Sequence, residues 1–270
     1  MRQKIILKLG GSILTKKDTK DFPLSIEEIK RRADEYIRAS DIKRIGRELK
    51  GVLNKKPLQL ILVNGVGPFG HFLVKHKRPD EEVRASVRIL NDKLISELRL
   101  AGLDVVPIPP SESAKFADEK FDISYLWSVA EMLLEEGKIP STYGDMLEGG
   151  KIISGDDLVV LLAERWQADR IVVATDVDGV FTKDPKIHKD AKFIRFLSGG
   201  SKSEDEYGIS YEISYGISVT DVTGGMESKV EKLKRAAKLG IKSQIVNGSK
   251  AGIMEATLLG DEKKGTLILP

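Results

Sequence analysis

Apolar residues fall into two kinds of pattern along this chain. Short runs at 5–9, 58–63, 139–143, 170–175, 242–246 and 266–269 read as buried strands. A further strand at 104–108 is stopped by Pro109-Pro110. Between them, apolar residues recur three and four apart, the spacing of an amphipathic helix. Ser25 and Glu28 have capping-box spacing and open a helix with Ile29, Ala33, Tyr36 and Ile37 inward. Asp41 is placed to cap the next helix, whose Ile45, Leu49 and Val52 share a face. Residues 81–101 predict a long helix striped by Leu90, Leu94, Leu98 and Ala101. Further helices are predicted at 123–136, from 154–157 through Trp166, from 226 to 239, and over 249–259. Gly149-Gly150 reads as a hairpin turn. The polar stretches 15–23 and 198–217 read as loops, the second a mobile one. Strand, turn, helix, repeated, predicts an α/β fold with a mainly parallel sheet and helices on both faces.

The chemistry collects at the strand exits, where open α/β sheets bind ligands. The first run empties into Gly10-Gly11-Ser12, with Lys8 at its end and Lys17 shortly after. A turn without side chains lets backbone N–H groups approach an anion. Two ammonium groups beside it suit a polyphosphate that must be neutralised during transfer. The second run ends in Gly65-Val66-Gly67-Pro68-Phe69-Gly70-His71. Its Gly65, Gly67 and Gly70 match the dinucleotide fingerprint, but Pro68 removes a donor and Asp92 falls inside a helix. A second phosphate cradle is the more economical reading, with His71 donating to a phosphate oxygen. Gly225, with Lys229 a turn later, is a third glycine-plus-lysine unit, at a helix start where phosphate is favoured. Asp156, at another helix start, is placed to hold lysines by ion pairing. Asp176-Val177-Asp178 either contacts a nucleotide, caps its own turn, or imitates the nucleophile loop of haloacid-dehalogenase phosphatases, with Asp176 attacking phosphorus.

Composition narrows the field. The 270 residues carry 44 basic and 41 acidic side chains, a balance that speaks against a dedicated nucleic-acid binder. There is no cysteine, which excludes disulfides, thiolate catalysis and cysteine-ligated zinc. No run reaches the length of a membrane span, and no signal-peptide pattern opens the chain, so a cytoplasmic protein is expected. No P-loop motif and no protein-kinase His-Arg-Asp set is present, and no metal-ligating cluster is expected from the protein itself.

These residues together resemble the amino acid kinase superfamily, and within it the isopentenyl phosphate kinases. Lys8-Leu9-Gly10-Gly11-Ser12 is similar to the first glycine motif, and Thr175-Asp176-Val177-Asp178-Gly179-Val180 to the nucleotide-side motif. Phe69-Gly70-His71, Tyr143-Gly144-Asp145, Ser154-Gly155-Asp156-Asp157 and Thr223-Gly224-Gly225-Met226 follow in the same order over nearly the whole chain. The loop Asn64-Gly65-Val66-Gly67-Pro68 departs from the family's His-Gly-Gly/Ala-Gly-Ser/Ala. The resemblance implies a single open αβα sandwich over 1–270. Its acceptor-binding lobe would cover roughly 1–165 and its nucleotide-binding lobe roughly 166–270. It also implies a cytoplasmic homodimer of isoprenoid biosynthesis that uses ATP and Mg²⁺, and no nucleic acid or membrane. It would phosphorylate a small phosphomonoester, isopentenyl phosphate, to the diphosphate; a fosfomycin-like acceptor is the alternative within the superfamily. By the same resemblance, Lys8 and Lys17 would neutralise the transferring group, and His71 would bind the acceptor phosphate. Lys229 would hold nucleotide phosphates and Asp156 would orient the lysines. Gly10, Gly11, Gly65 and Gly155 would supply close backbone. Ser12, Asp176, Asp178 and Gly225 would lie on the nucleotide side, and Gly67 and Gly70 on the acceptor side.

Overall fold

A computed structural model describes residues 2–16, 20–199, 203–204, 210–211 and 225–270. The parallel heart of the sheet is built from β1 (Gln3–Leu9), β2 (Leu58–Asn64), β3 (Val105–Pro107), β4 (Ile139–Tyr143) and β5 (Arg170–Thr175). Then follow β6 (Phe196–Ser198), β7 (Ser203–Glu204), β8 (Ser210–Tyr211), β9 (Lys242–Asn247) and β10 (Thr266–Leu269). Their spatial order is β8-β7-β6-β10-β9-β5-β1-β2-β4-β3. From β9 to β3 every pairing is parallel, while β10 runs antiparallel to β9. The expected α/β sandwich is what the structure shows. β1 pairs with β2 on one side and β5 on the other. The chain therefore leaves β1 in one direction and later returns to its opposite flank. That switch point leaves a crevice at the carboxyl ends of the strands.

Ten helices are described: α1 (Gly11–Leu14), α2 (Ile26–Tyr36), α3 (Ala39–Lys55), α4 (Pro68–Lys75), α5 (Asp80–Leu100), α6 (Pro110–Ser113), α7 (Ser124–Glu135), α8 (Gly155–Trp166), α9 (Gly225–Lys238) and α10 (Ile253–Leu259). Side-chain alternation divides the strands between two cores. Ile5, Leu7 and Leu9 of β1 join Leu60, Leu62 and Val172 beneath α2, α3, α5 and α10. Ile6, with Ile61, Val63, Ile171 and Val173, faces α7, α8 and α9. The striped helices behave as their period requires: Leu90, Leu94 and Leu98 of α5 are fully buried.

Three local expectations change. Ser25 caps α2 by accepting from the Glu28 N–H at 3.3 Å, but the Glu28 carboxylate turns to Arg31 and Arg32 instead of closing the box. Asp41 does not cap α3, which begins two residues earlier. It sits in the first turn, where Arg38 and Arg44 draw its carboxylate. The 15–23 stretch is not a purely polar loop. Its Phe22 is buried edge-on against Tyr36, Phe69 and Phe72, with centroids 4.8, 5.2 and 5.5 Å away. Most of the 198–217 loop lies outside the described residues. Among the described residues no helix is long and apolar enough to cross a membrane.

Candidate functional site

Alternation along β1 decides where its lysine goes. Lys8 shares a face with Ile6, so at the strand's end it stands toward α8 and α9. It is 5% exposed, and a buried ammonium needs a partner. The partner is Asp156 in the first turn of α8, 2.6 Å from Nζ. Both oxygens of the same carboxylate accept from Lys229 Nζ on α9, at 2.9 and 3.0 Å. One carboxylate thus faces two ammonium groups, and positive charge is in surplus. Burial pushes the Lys8 ammonium from 10.5 down to about 7, against the pull of Asp156 and with the push of Lys229. Burial also opposes the Asp156 carboxylate, yet Lys229 and Lys8 outweigh it and hold that group well below the usual carboxylate range. The arrangement is poised to receive an anion, which would offset the surplus charge.

The turns around this cluster are closed by backbone. Gly10 N–H donates to Ala174 O at 2.8 Å and Gly65 N–H to Leu9 O at 2.8 Å, so each strand exit is tied to its neighbour. The two glycine turns also touch one another. A Cβ on Gly11 would lie 2.6 Å from Gly67 N, and one on Gly65 would lie 2.5 Å from Gly11 N. Both contacts are with backbone, which cannot swing aside, so neither position has room for a side chain. His71 follows in α4, whose start is fixed by Gly67 and Pro68. Phe69 and Phe72 on the same helix pack on Phe22, which seats α4 against the core.

The strand exits open into one groove of about 1090 Å³, large enough for two ligands at once. Lys8, His71, Asp156 and Lys229 all line it. So do Gly10, Gly11, Ser12, Gly65 and Gly67 on one side and Asp176 and Gly225 on the other. A narrower apolar cleft runs from its floor between α5 and the Met146–Ile153 hairpin, lined by Val74, Val83, Val87, Met146, Ile152 and Ile153. Gly70 and Gly155 border this cleft, and Lys8, Gly65, Val66, His71 and Asp156 border both spaces. Asp178 lines neither. Its carboxylate is taken by Lys250 at 2.6 Å and Asn247 at 2.9 Å, and these hydrogen bonds hold it below the ordinary carboxylate range. Lys17 lies outside the described residues. Among the described residues no three metal-ligating side chains come together.

Sequence reasoning gave no role to several cations in the groove wall: Lys16, Lys75, Lys186, Lys232 and Arg235. Lys186 pairs with Asp176, ten residues earlier, across a loop that carries no periodic signal. Lys232 could have been found, because it lies three residues after Lys229 on one helix face. The same pairing leaves Asp176 engaged by a cation at the groove's far wall.

Known proteins share this chain's sequence pattern and fold. The amino acid kinase family matches residues 3–247. The isopentenyl phosphate kinase of Methanothermobacter thermautotrophicus is 32% identical over 98% of both chains. That of Methanocaldococcus jannaschii is 33% identical over 97% of both. A crystallographic isopentenyl phosphate kinase superposes with a TM-score of 0.74 at 29% identity, covering 98% of this chain and 99% of its own. None of these favours a phosphatase built on Asp176. The chain belongs to the amino acid kinase family.

Proposed function

We propose that this protein transfers the γ-phosphoryl group of ATP to isopentenyl phosphate, giving isopentenyl diphosphate and ADP. The observation that carries the reading is the shared border. Lys8, His71 and Asp156 belong both to the wide polar groove and to the narrow apolar cleft. A molecule with an anionic head and an apolar tail fits that junction, tail in the cleft and phosphate against His71. The cleft is small, about 60 Å³. A cleft of that size and apolar lining suits a short hydrocarbon tail. Relatives named isopentenyl phosphate kinase over nearly full length support the same acceptor.

The nucleotide would enter from the opposite side, its phosphates reached by Lys229 and the turn at Gly10, Gly11 and Ser12, with Asp176 and Gly225 on the flanking wall. The residues of 1–165 would then hold the acceptor and those of 166–270 the donor. An acceptor phosphate oxygen attacks the γ-phosphorus in line. The new P–O bond forms as the bond to the bridging β,γ-oxygen breaks, and ADP leaves with that electron pair. No general base is required, because the attacking oxygen is already anionic. Lys8, with Lys17, would neutralise the transferring oxygens, and Asp156 would hold Lys8 and Lys229 apart at a fixed spacing. Mg²⁺ would arrive with the nucleotide. When bound it supplies charge neutralisation. A cytoplasmic homodimer remains the expectation of the family resemblance.

The test is an ADP-release assay with isopentenyl phosphate, dimethylallyl phosphate, fosfomycin and acetylglutamate as acceptors. The highest kcat/KM is expected for isopentenyl phosphate. Turnover confined to the carboxylate would overturn the reading.

A further inference from the structure

Lys229 does not reach Asp156 alone. One turn along α9, Lys232 Nζ lies 2.9 Å from Asp157 Oδ1 and donates to Ser154 Oγ at 3.0 Å. Asp157 and Ser154 are themselves locked together. Ser154 caps α8 by accepting from the Asp157 N–H at 3.1 Å, and its hydroxyl and N–H donate back to Asp157 Oδ2 at 2.6 and 3.2 Å. Two adjacent acids in one helical turn thus meet two lysines three apart on the facing helix. The inner pair belongs to the reaction centre. The outer pair is three-quarters buried and tied to a rigid cap, so its geometry is well defined.

We propose that Lys232 is a positioning residue: its bridge to Asp157 and Ser154 clamps α9 against the start of α8 and so holds Lys229 on Asp156. This inference rests on the kinase reading for its consequence, though not for its geometry. In the inner cluster the two ammonium groups repel one another across the carboxylate that attracts both. Val230 and Leu233 seat α9 on the core, and the Lys232 bridge, one turn from Lys229, fixes how that helix is turned and with it the reach of Lys229.

The test has two readouts. The first is free of any acceptor: a ¹³C NMR titration of the Lys8 Cε resonance. The charged groups acting on Lys8 are Asp156 on α8 and Lys229 on α9. If Lys232→Met releases Lys229, Lys8 loses a repulsive neighbour and keeps its carboxylate, so its titration moves to higher pH. Asp157→Asn keeps an acceptor for the helix cap and removes the charge that Lys232 meets, and it should move the titration the same way. Lys232→Arg should leave it in place. The second readout is turnover. Lys232→Met and Asp157→Asn should each lower kcat on the order of tenfold, the size of a coupling near 1.4 kcal/mol, and the two combined should fall no further, while Lys232→Arg should keep turnover. An unmoved Lys8 titration in Asp157→Asn, which disturbs folding least, overturns the proposal. So does a loss of ATP affinity in Lys232→Met that Asp157→Asn does not share, since Lys232 would then be a direct phosphate ligand. A wild-type protein inactive on isopentenyl phosphate would sink the kinase reading and leave the NMR result to decide this one.

Discussion

The two walls of the groove are held by different physics. On the β1–β2 side, backbone meets backbone. Strand exits are tied by N–H···O bonds at 2.8 Å, and the turns at Gly11 and Gly65 interlock with no room for a Cβ. On the α8–α9 side, the fastening is ionic, with Lys229 on Asp156 and Lys232 on Asp157. A backbone wall is indifferent to pH and salt but intolerant of side chains. An ionic wall accepts substitution but responds to protonation and to what binds. The first suits an element that must place N–H groups to a fraction of an ångström. The second suits one that must release its lysines from a carboxylate toward a phosphate.

Breaking either wall should show this difference. The largest effect is expected at the point where both meet. Lys8→Met should lower kcat by about 10²–10³, the cost of losing one preorganised charge at the transferring group, with little loss of fold. Steady-state kinetics check it. Next, Gly11→Ala should push the two turns apart. A displacement near 1 Å at the reacting groups costs on the order of 10²-fold in rate, and thermal unfolding should show about 1–3 kcal/mol of lost stability from overpacking. A variant as stable and active as the wild type would remove the interlocking argument.

The ionic wall should show in the pH profile. The free enzyme's Lys8 titrates near 7. Since kcat/KM reports the free enzyme, it should fall as pH rises through about 7. The limb in kcat should lie at higher pH, because bound phosphates favour the ammonium. The two groups pull stability in opposite directions. Asp156 ionises more readily folded than unfolded, so it stabilises the fold above the ordinary carboxylate range and ceases to do so in acid. The Lys8 ammonium is disfavoured by folding, so protonating it between pH 10.5 and about 7 costs stability. The smallest effect is expected at Asp178→Asn. Its carboxylate faces Lys250 and Asn247 outside the groove, so ATP KM should change by less than about twofold.

How much of this was legible in advance follows from which interactions are local. Strands and helices announced themselves through periods of two and of about 3.6. Lys8, His71, Asp156 and Lys229 were legible because each sits at a strand exit or in the first turns of a helix, and the fold sends these four places to one rim. What joins distant segments was not legible. Asp176 and Asp178 stand two apart on one turn, yet the first lines the groove beside Lys186 and the second turns to the exit of β9. Nothing in their spacing says which does which. Phe22 looked like part of a polar loop until Tyr36, Phe69 and Phe72 supplied its pocket. Asp41 had the composition of a cap, but two arginines within a turn of it were stronger partners.

The central claim is that two anions meet at the Lys8–His71 border and exchange a phosphoryl group directly. The stereochemical course at a chiral, isotopically labelled γ-phosphorothioate tests it most directly. A single in-line displacement predicts inversion of configuration at phosphorus in the diphosphate product. Net retention would require a phosphorylated protein side chain between the two substrates, and would contradict the account.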